Sequence, residues 1–172
     1  SNSAGNSNTA IGNRSLFSNA TGYNNTAIGD SALLNNITGF SNVAIGKKAL
    51  QNNTTKSNLV AIGDSALFNN GIGATTAEEA TQNVAIGSKA LYANTTGLSN
   101  TAVGFNAQMN GTSAGGNTSV GIKTLTNNNG TLNTAVGHYS MFQNLTGAYN
   151  TATGSGALQS NTLGSFNASL GF

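Results

Sequence analysis

The chain has 172 residues, of which 6% are charged, against roughly 25% in an ordinary globular domain. Its net charge of +2 is too small for the clustered phosphate contacts of a nucleic-acid binder, and the absence of Cys removes disulfides and thiolate chemistry. No apolar run approaches the roughly 18 residues of a membrane-spanning helix, and an apolar content of 37% is too high for a plain disordered tract.

From its first residues the chain is repetitive. "SNSAGNSNTAIG" opens inside a repeat, without an initiator Met, as a fragment or a processed product would. The anchor is the glycine closing each "AIG"-like triplet: Gly12, Gly29, Gly46, Gly63, Gly87, Gly104, Gly121, Gly137, Gly154 and Gly171. Successive spacings are 17, 17, 17, 24, 17, 17, 16, 17 and 17, so ten copies fill residues 1–172 as one domain. Eight of the ten copies open with a Thr/Val–small–Ile/Val triplet, with Thr153 in the ninth and Ala168 and Leu170 in the tenth as exceptions, and its alternation predicts a short strand with β-branched residues on one face and Ala on the other. The glycine then turns the corner. A second short strand is expected around the following "AL", and Asn, Thr and Gly return the chain. One such coil cannot bury its own apolar residues. Stacked at about 4.8 Å, the coils pair every backbone group with those above and below. The predicted fold is all-β, a parallel β-solenoid or β-roll of about ten 17-residue coils.

The columns assign tasks. Directly before the glycine stand Ile11, Ile28, Ile45, Ile62, Ile86, Val103, Val120 and Val136. Four residues after it stand Leu33, Leu50, Leu67 and Leu91, with Gln108 breaking that column. Both columns are expected to stack as the core. Ala27, Ala44, Ala61, Ala85, Ala102 and Ala135 form a small column that permits close approach, either by the opposite side of the same coil or by a second subunit. Asn seven residues after the glycine, as at Asn36, is expected to ladder from coil to coil. The fourth copy carries the insertion "GIGATTAEEA", residues 71–80, with Glu78 and Glu79. Its "GIG" lacks the strand–helix context and Lys of a phosphate loop. Insertions in solenoids loop out on one face, so it reads either as a passive protrusion or as a recognition element. Arg14, Lys48, Lys89 and Lys123 share the column two after the glycine, a sparse basic line that serves either solubility or an anionic partner. Aromatics recur five after the glycine at Phe17, Phe68, Tyr92 and Phe142, to pack at an edge or to stack on sugar rings. His138, the single His, has no acidic neighbour in sequence, and Asp30 and Asp64 share a column with Lys47, so neither marks a catalytic site. The expectation is no enzyme and no metal or other cofactor.

The phrase "N-T/V-A-I-G-x-x-A-L", carried by Asn25–Gly29, Asn42–Gly46, Asn83–Gly87, Asn100–Gly104 and Asn133–Gly137, resembles the head repeats of YadA-like trimeric autotransporter adhesins. Related "NTAIG" arrays are similar to those of bacterial and phage surface fibres. The resemblance implies a left-handed β-roll, a homotrimer, an extracellular or cell-surface location, and binding to host matrix, glycan or cell surface. The chain departs from that family in its longer period, and residues 1–172 hold no coiled-coil stalk, neck or membrane anchor. Two further readings come from the residues. Ends without a polar cap suggest filament growth by end-to-end stacking. The Thr9, Thr26, Thr101, Thr118, Thr134 and Thr151 column suggests an ice-binding face.

Overall fold

The computed structural model describes residues 3–172. It is an all-β parallel solenoid of ten coils, each contributing one three-residue strand: β1 (Thr9–Ile11), β2 (Thr26–Ile28), β3 (Val43–Ile45), β4 (Val60–Ile62), β5 (Val84–Ile86), β6 (Thr101–Val103), β7 (Thr118–Val120), β8 (Thr134–Val136), β9 (Thr151–Thr153) and β10 (Ala168–Leu170). The strands form a single sheet in sequence order, every pair parallel. Register follows the repeat, with Ala27 opposite Ala44 and Ile28 opposite Ile45. The register survives the 24-residue copy, where Ala61 faces Ala85.

The rest of each coil differs from expectation. No second strand forms at "AL"; that stretch is a run of turns. Ala32 N donates to the Gly29 carbonyl and Asn36 N to the Leu33 carbonyl, so two tight turns follow one another. The backbone alternates in hand: Ser31 and Leu33 have φ of 59° and 49°, while Ala32 between them stays negative. Positive φ costs a bulky residue about 1–2 kcal/mol. Here the alternation aims successive N–H groups at opposite neighbours. Ser31 N donates to Asn13 O of the previous coil at 2.8 Å, and Leu33 N to Ala49 O of the next at 3.0 Å. The turn wall is thus laddered like the strand wall, and those bonds offset the strain. The glycine at the corner has no alternative: a Cβ on Gly46, at φ 130°, would sit 2.6 Å from the carbonyl carbon of Gly63.

The core is thinner than the columns suggested, and one assignment is corrected. Ile11, Ile28, Ile45, Ile62, Ile86, Val103, Val120 and Val136 do not stack inside; they lie on the outer face, half-buried or exposed. The fully buried strand residues are Ala27, Ala44, Ala61, Ala85, Ala102 and Ala135, with Ser119 and Ala152 at the same register. Strand alternation forces the choice, since two neighbours cannot both point inward. The strand wall and the turn wall are close enough that the space beneath the strand holds a methyl group, while Leu33, Leu50, Leu67 and Leu91 reach in from the turn wall. With no exposure left, the Ala column faces the opposite wall of its own coil, and no second subunit reaches it.

Polar groups fill the remainder. Asn36 Nδ2 donates to Asn19 Oδ1 of the previous coil at 2.8 Å and to the Gly39 carbonyl of its own coil at 2.9 Å, so the expected Asn ladder also clamps each return turn. A second ladder runs four residues before the glycine: Asn42 N donates to Asn25 Oδ1, and Asn42 Nδ2 to the Lys56 carbonyl. That ladder was not read from the sequence, although its signal, an Asn at the same register in nearly every copy, was available.

Candidate functional site

Recognition in a stacked array must come from its outer columns, since the interior is closed. One regular surface is the outside of the ten-stranded sheet. Two columns project from it, a Thr/Val column beginning at Thr9 and an Ile/Val column beginning at Ile11, and neither holds a charged residue. Ile11 is 58% exposed, and Ile86, Val120 and Val136 are each 37% exposed. Large β-branched side chains in register on a parallel sheet make an apolar strip along the molecule, of the kind that marks association sites. The Thr column expected of an ice-binding face is interrupted at its centre by Val43, Val60 and Val84.

Arg14, Lys48, Lys89 and Lys123 lie on alternate coils, with Ser31, Ser65 and Asn106 at the same register between them. At about 4.8 Å per coil the cations stand roughly 10 Å apart, near one Debye length, so mutual repulsion is screened. Two are engaged with rings: the Arg14 guanidinium lies 5.8 Å from the Phe17 ring centroid, and Lys123 Nζ lies 5.3 Å from the Tyr139 centroid and 3.1 Å from its hydroxyl. Phe68 and Tyr92 stack at 5.1 Å across successive coils. His138 is exposed and meets Tyr139 edge-on. Among the described residues no group of three or more His, Asp and Glu side chains is placed to hold a metal ion.

The insertion leaves the coil without opening it. Asn70 Nδ2 donates to the Ala80 carbonyl, the bond that Asn36 makes across three residues and this one makes across ten. Outside that clamp, Glu79 folds back as a local anchor. Its carboxylate accepts from Thr75 N at 2.6 Å and Thr76 N at 3.2 Å. The Thr76 and Thr75 amides, followed by the charge of Lys56, hold its pKa below the ordinary carboxylate range. Glu78 is exposed. Lys56, which the sequence reading did not single out, is buried and donates from Nζ to the Thr76 carbonyl. It replaces the usual Gly at its register, and that substitution was the available signal. The structure therefore brings Glu79 near a buried lysine.

No family model, curated protein or solved structure matches this chain.

Proposed function

We propose that this chain is a rigid, non-catalytic rod module of an extracellular surface fibre. In this reading three left-handed copies lie side by side through the outer sheet face, and the remaining surface meets a host matrix, glycan or cell surface. The observation that carries the reading is the uncharged strip of Thr, Val and Ile along the ten strands. Such a strip is costly to leave in water, and its register makes it complementary to a second copy of itself. The YadA-like phrasing of the repeat supports the trimer and the surface location. The solenoid supports the mechanical role, because every coil is hydrogen-bonded to its neighbours through both walls.

Light scattering coupled to size exclusion tests the reading directly. The expected mass is three times the 17.2 kDa of the chain. Ile45→Glu, which sets a charge in the middle of the strip, is expected to yield a folded monomer with unchanged circular dichroism. A parent protein that runs as a monodisperse monomer would sink the proposal. Long unbranched filaments in electron micrographs would replace side-by-side assembly with end-to-end stacking.

A further inference from the structure

Two-ring aromatic ladders decorate the solenoid, and one of them ends against a cavity. Tyr23 and Phe40 occupy the same register, six residues before the glycine, in successive coils. Their ring centroids are 4.8 Å apart and their planes differ by 1°. That distance matches the strand-to-strand spacing of a sheet, so each coil offers a slot for one flat ring at this register. The next slot belongs to Ser57, which has no ring. Tyr23 covers one face of Phe40. On the side of Ser57, a cavity of about 350 Å³ opens against Phe40, lined also by Lys56, Asn58 and Thr81, with Ala77 of the insertion as an outer wall.

The rim carries polar groups at several heights around this slot. Ser57 Oγ accepts from Phe40 N at 3.0 Å, which leaves its own O–H free to donate. Thr81 Oγ1 donates to the Glu78 carbonyl, which leaves its lone pairs to accept. The Lys56 ammonium spends one of its three N–H bonds on the Thr76 carbonyl. The Asn58 side chain is exposed and offers both a donor and an acceptor. An apolar ring face at the back, with donors and acceptors around the edge, matches a molecule that is flat, apolar on its faces and polar along its perimeter. A pyranose ring has this form: its axial C–H groups present an apolar face and its hydroxyls radiate near the ring plane. The volume lies at the small end of ligand sites, roughly 300–1,000 Å³, and holds one such ring.

We propose that this vacant slot binds a single pyranose residue of a glycan, stacked on Phe40 and held at its edge by Lys56, Ser57, Asn58 and Thr81. The site needs both the ladder that stops at Phe40 and the wall that the insertion supplies, and Lys56 joins the two by holding Thr76.

Saturation-transfer NMR on the purified chain tests the site. The probes are methyl β-D-glucopyranoside, methyl β-D-galactopyranoside, methyl N-acetyl-β-D-glucosaminide and methyl β-D-glucuronide, with tyrosinamide as an aromatic probe. At least one glycoside is expected to receive saturation, strongest on the ring hydrogens of one face. Phe40→Ala removes the platform. Ser57→Phe keeps the platform and fills the slot with a third ring, so a folded variant remains even where Phe40→Ala does not fold. Each is expected to weaken binding at least tenfold, while Phe68→Ala, which breaks a ring ladder elsewhere, leaves it unchanged. Absence of transfer to every glycoside, equal transfer in S57F, or transfer to tyrosinamide alone would overturn the site. Because the assembly state is read on the same samples, lost binding in an intact trimer and intact binding in a monomer separate this proposal from the fibre reading.

Discussion

At the scale of single residues, the irregular positions reveal how the core works. Gln108 occupies the Leu column, fully buried. Its Nε2 donates to Asn100 Oδ1 at 3.3 Å, but its Oε1 has no partner. The apolar core divides at this point, one cluster ending at Ala107 and the next starting at Leu125. In the same coil Gly111 stands where other coils carry a ladder Asn, and the Gln108 side chain comes within 3.6 Å of where its Cβ would be. The longer amide thus occupies the room that the missing Asn leaves. Gln108→Leu removes an unsatisfied acceptor and rejoins the clusters, so it is expected to raise stability by about 1 kcal/mol, read as a higher denaturant midpoint. Asn36→Ala acts in the opposite direction. It strips a donor from Asn19 Oδ1 and the Gly39 carbonyl, and an acceptor from Asn53 Nδ2. With three buried hydrogen bonds lost, at about 1 kcal/mol each, a loss of about 3 kcal/mol is expected in the same measurement. Gln108 was visible in the sequence as a broken column; that it compensates for Gly111 was not, because the two sit on different columns and only the turn between them brings the Gln108 side chain against Gly111.

At the scale of elements, the coil is a three-residue strand closed by turns, and the insertion shows that closure is separable from loop length. The Asn clamp fixes where the chain re-enters the coil, and whatever lies between is extruded. The extruded loop is organised by Glu79. Its folded pKa is lowered, so its contribution to loop order is present above the unfolded carboxylate pKa and is lost as pH falls through the folded value. On acidification the Thr75 and Thr76 amide resonances are expected to move together with that titration, while amides of β2 and β3 stay fixed; NMR reads both. Glu79→Gln is expected to abolish the pH response and leave the ladder unchanged. The strands were legible from the Thr/Val–Ala–Ile alternation. The missing second strand was not, since "AL" fits a strand by composition and only the alternating hand of the Ser31–Leu33 backbone excludes it.

At the scale of the whole molecule, stability is carried between neighbouring coils, with no contact from one end to the other. Such an array tolerates loss of a whole unit, and its return turns absorb single residues, since β7 and β8 stay in register across the 16-residue copy. Deleting residues 30–46, one full period, joins Gly29 to Lys47 and preserves every column; the product is expected to fold with a slightly lower midpoint and a smaller denaturant slope. Deleting residues 30–38 joins Gly29 to Gly39, removes Leu33 and Asn36, and leaves about half a coil, too short to close; it is expected to abolish cooperative unfolding. Circular dichroism during urea titration distinguishes the two. The same one-dimensional order sets the surface: every outer column repeats along the rod, so the strip on the sheet and the cations on alternate coils extend with coil number, whereas the Phe40 slot occurs where the repeat is interrupted.

The sequence by itself determined the period, the number of coils, the parallel in-register stacking, the Leu core column and the Asn ladder, because each follows from identical residues recurring at identical offsets. It did not determine which face of the strand turns inward. Ile at the strand end reads as core on hydrophobicity alone, and only the closeness of the two walls of a coil, with room for Ala27 and none for Ile28, decided that the larger residue faces out. The vacant ring slot was likewise beyond the sequence. It depends on three segments, the Tyr23–Phe40 ladder, Lys56–Asn58 and the insertion, whose meeting is fixed by the stacking of coils.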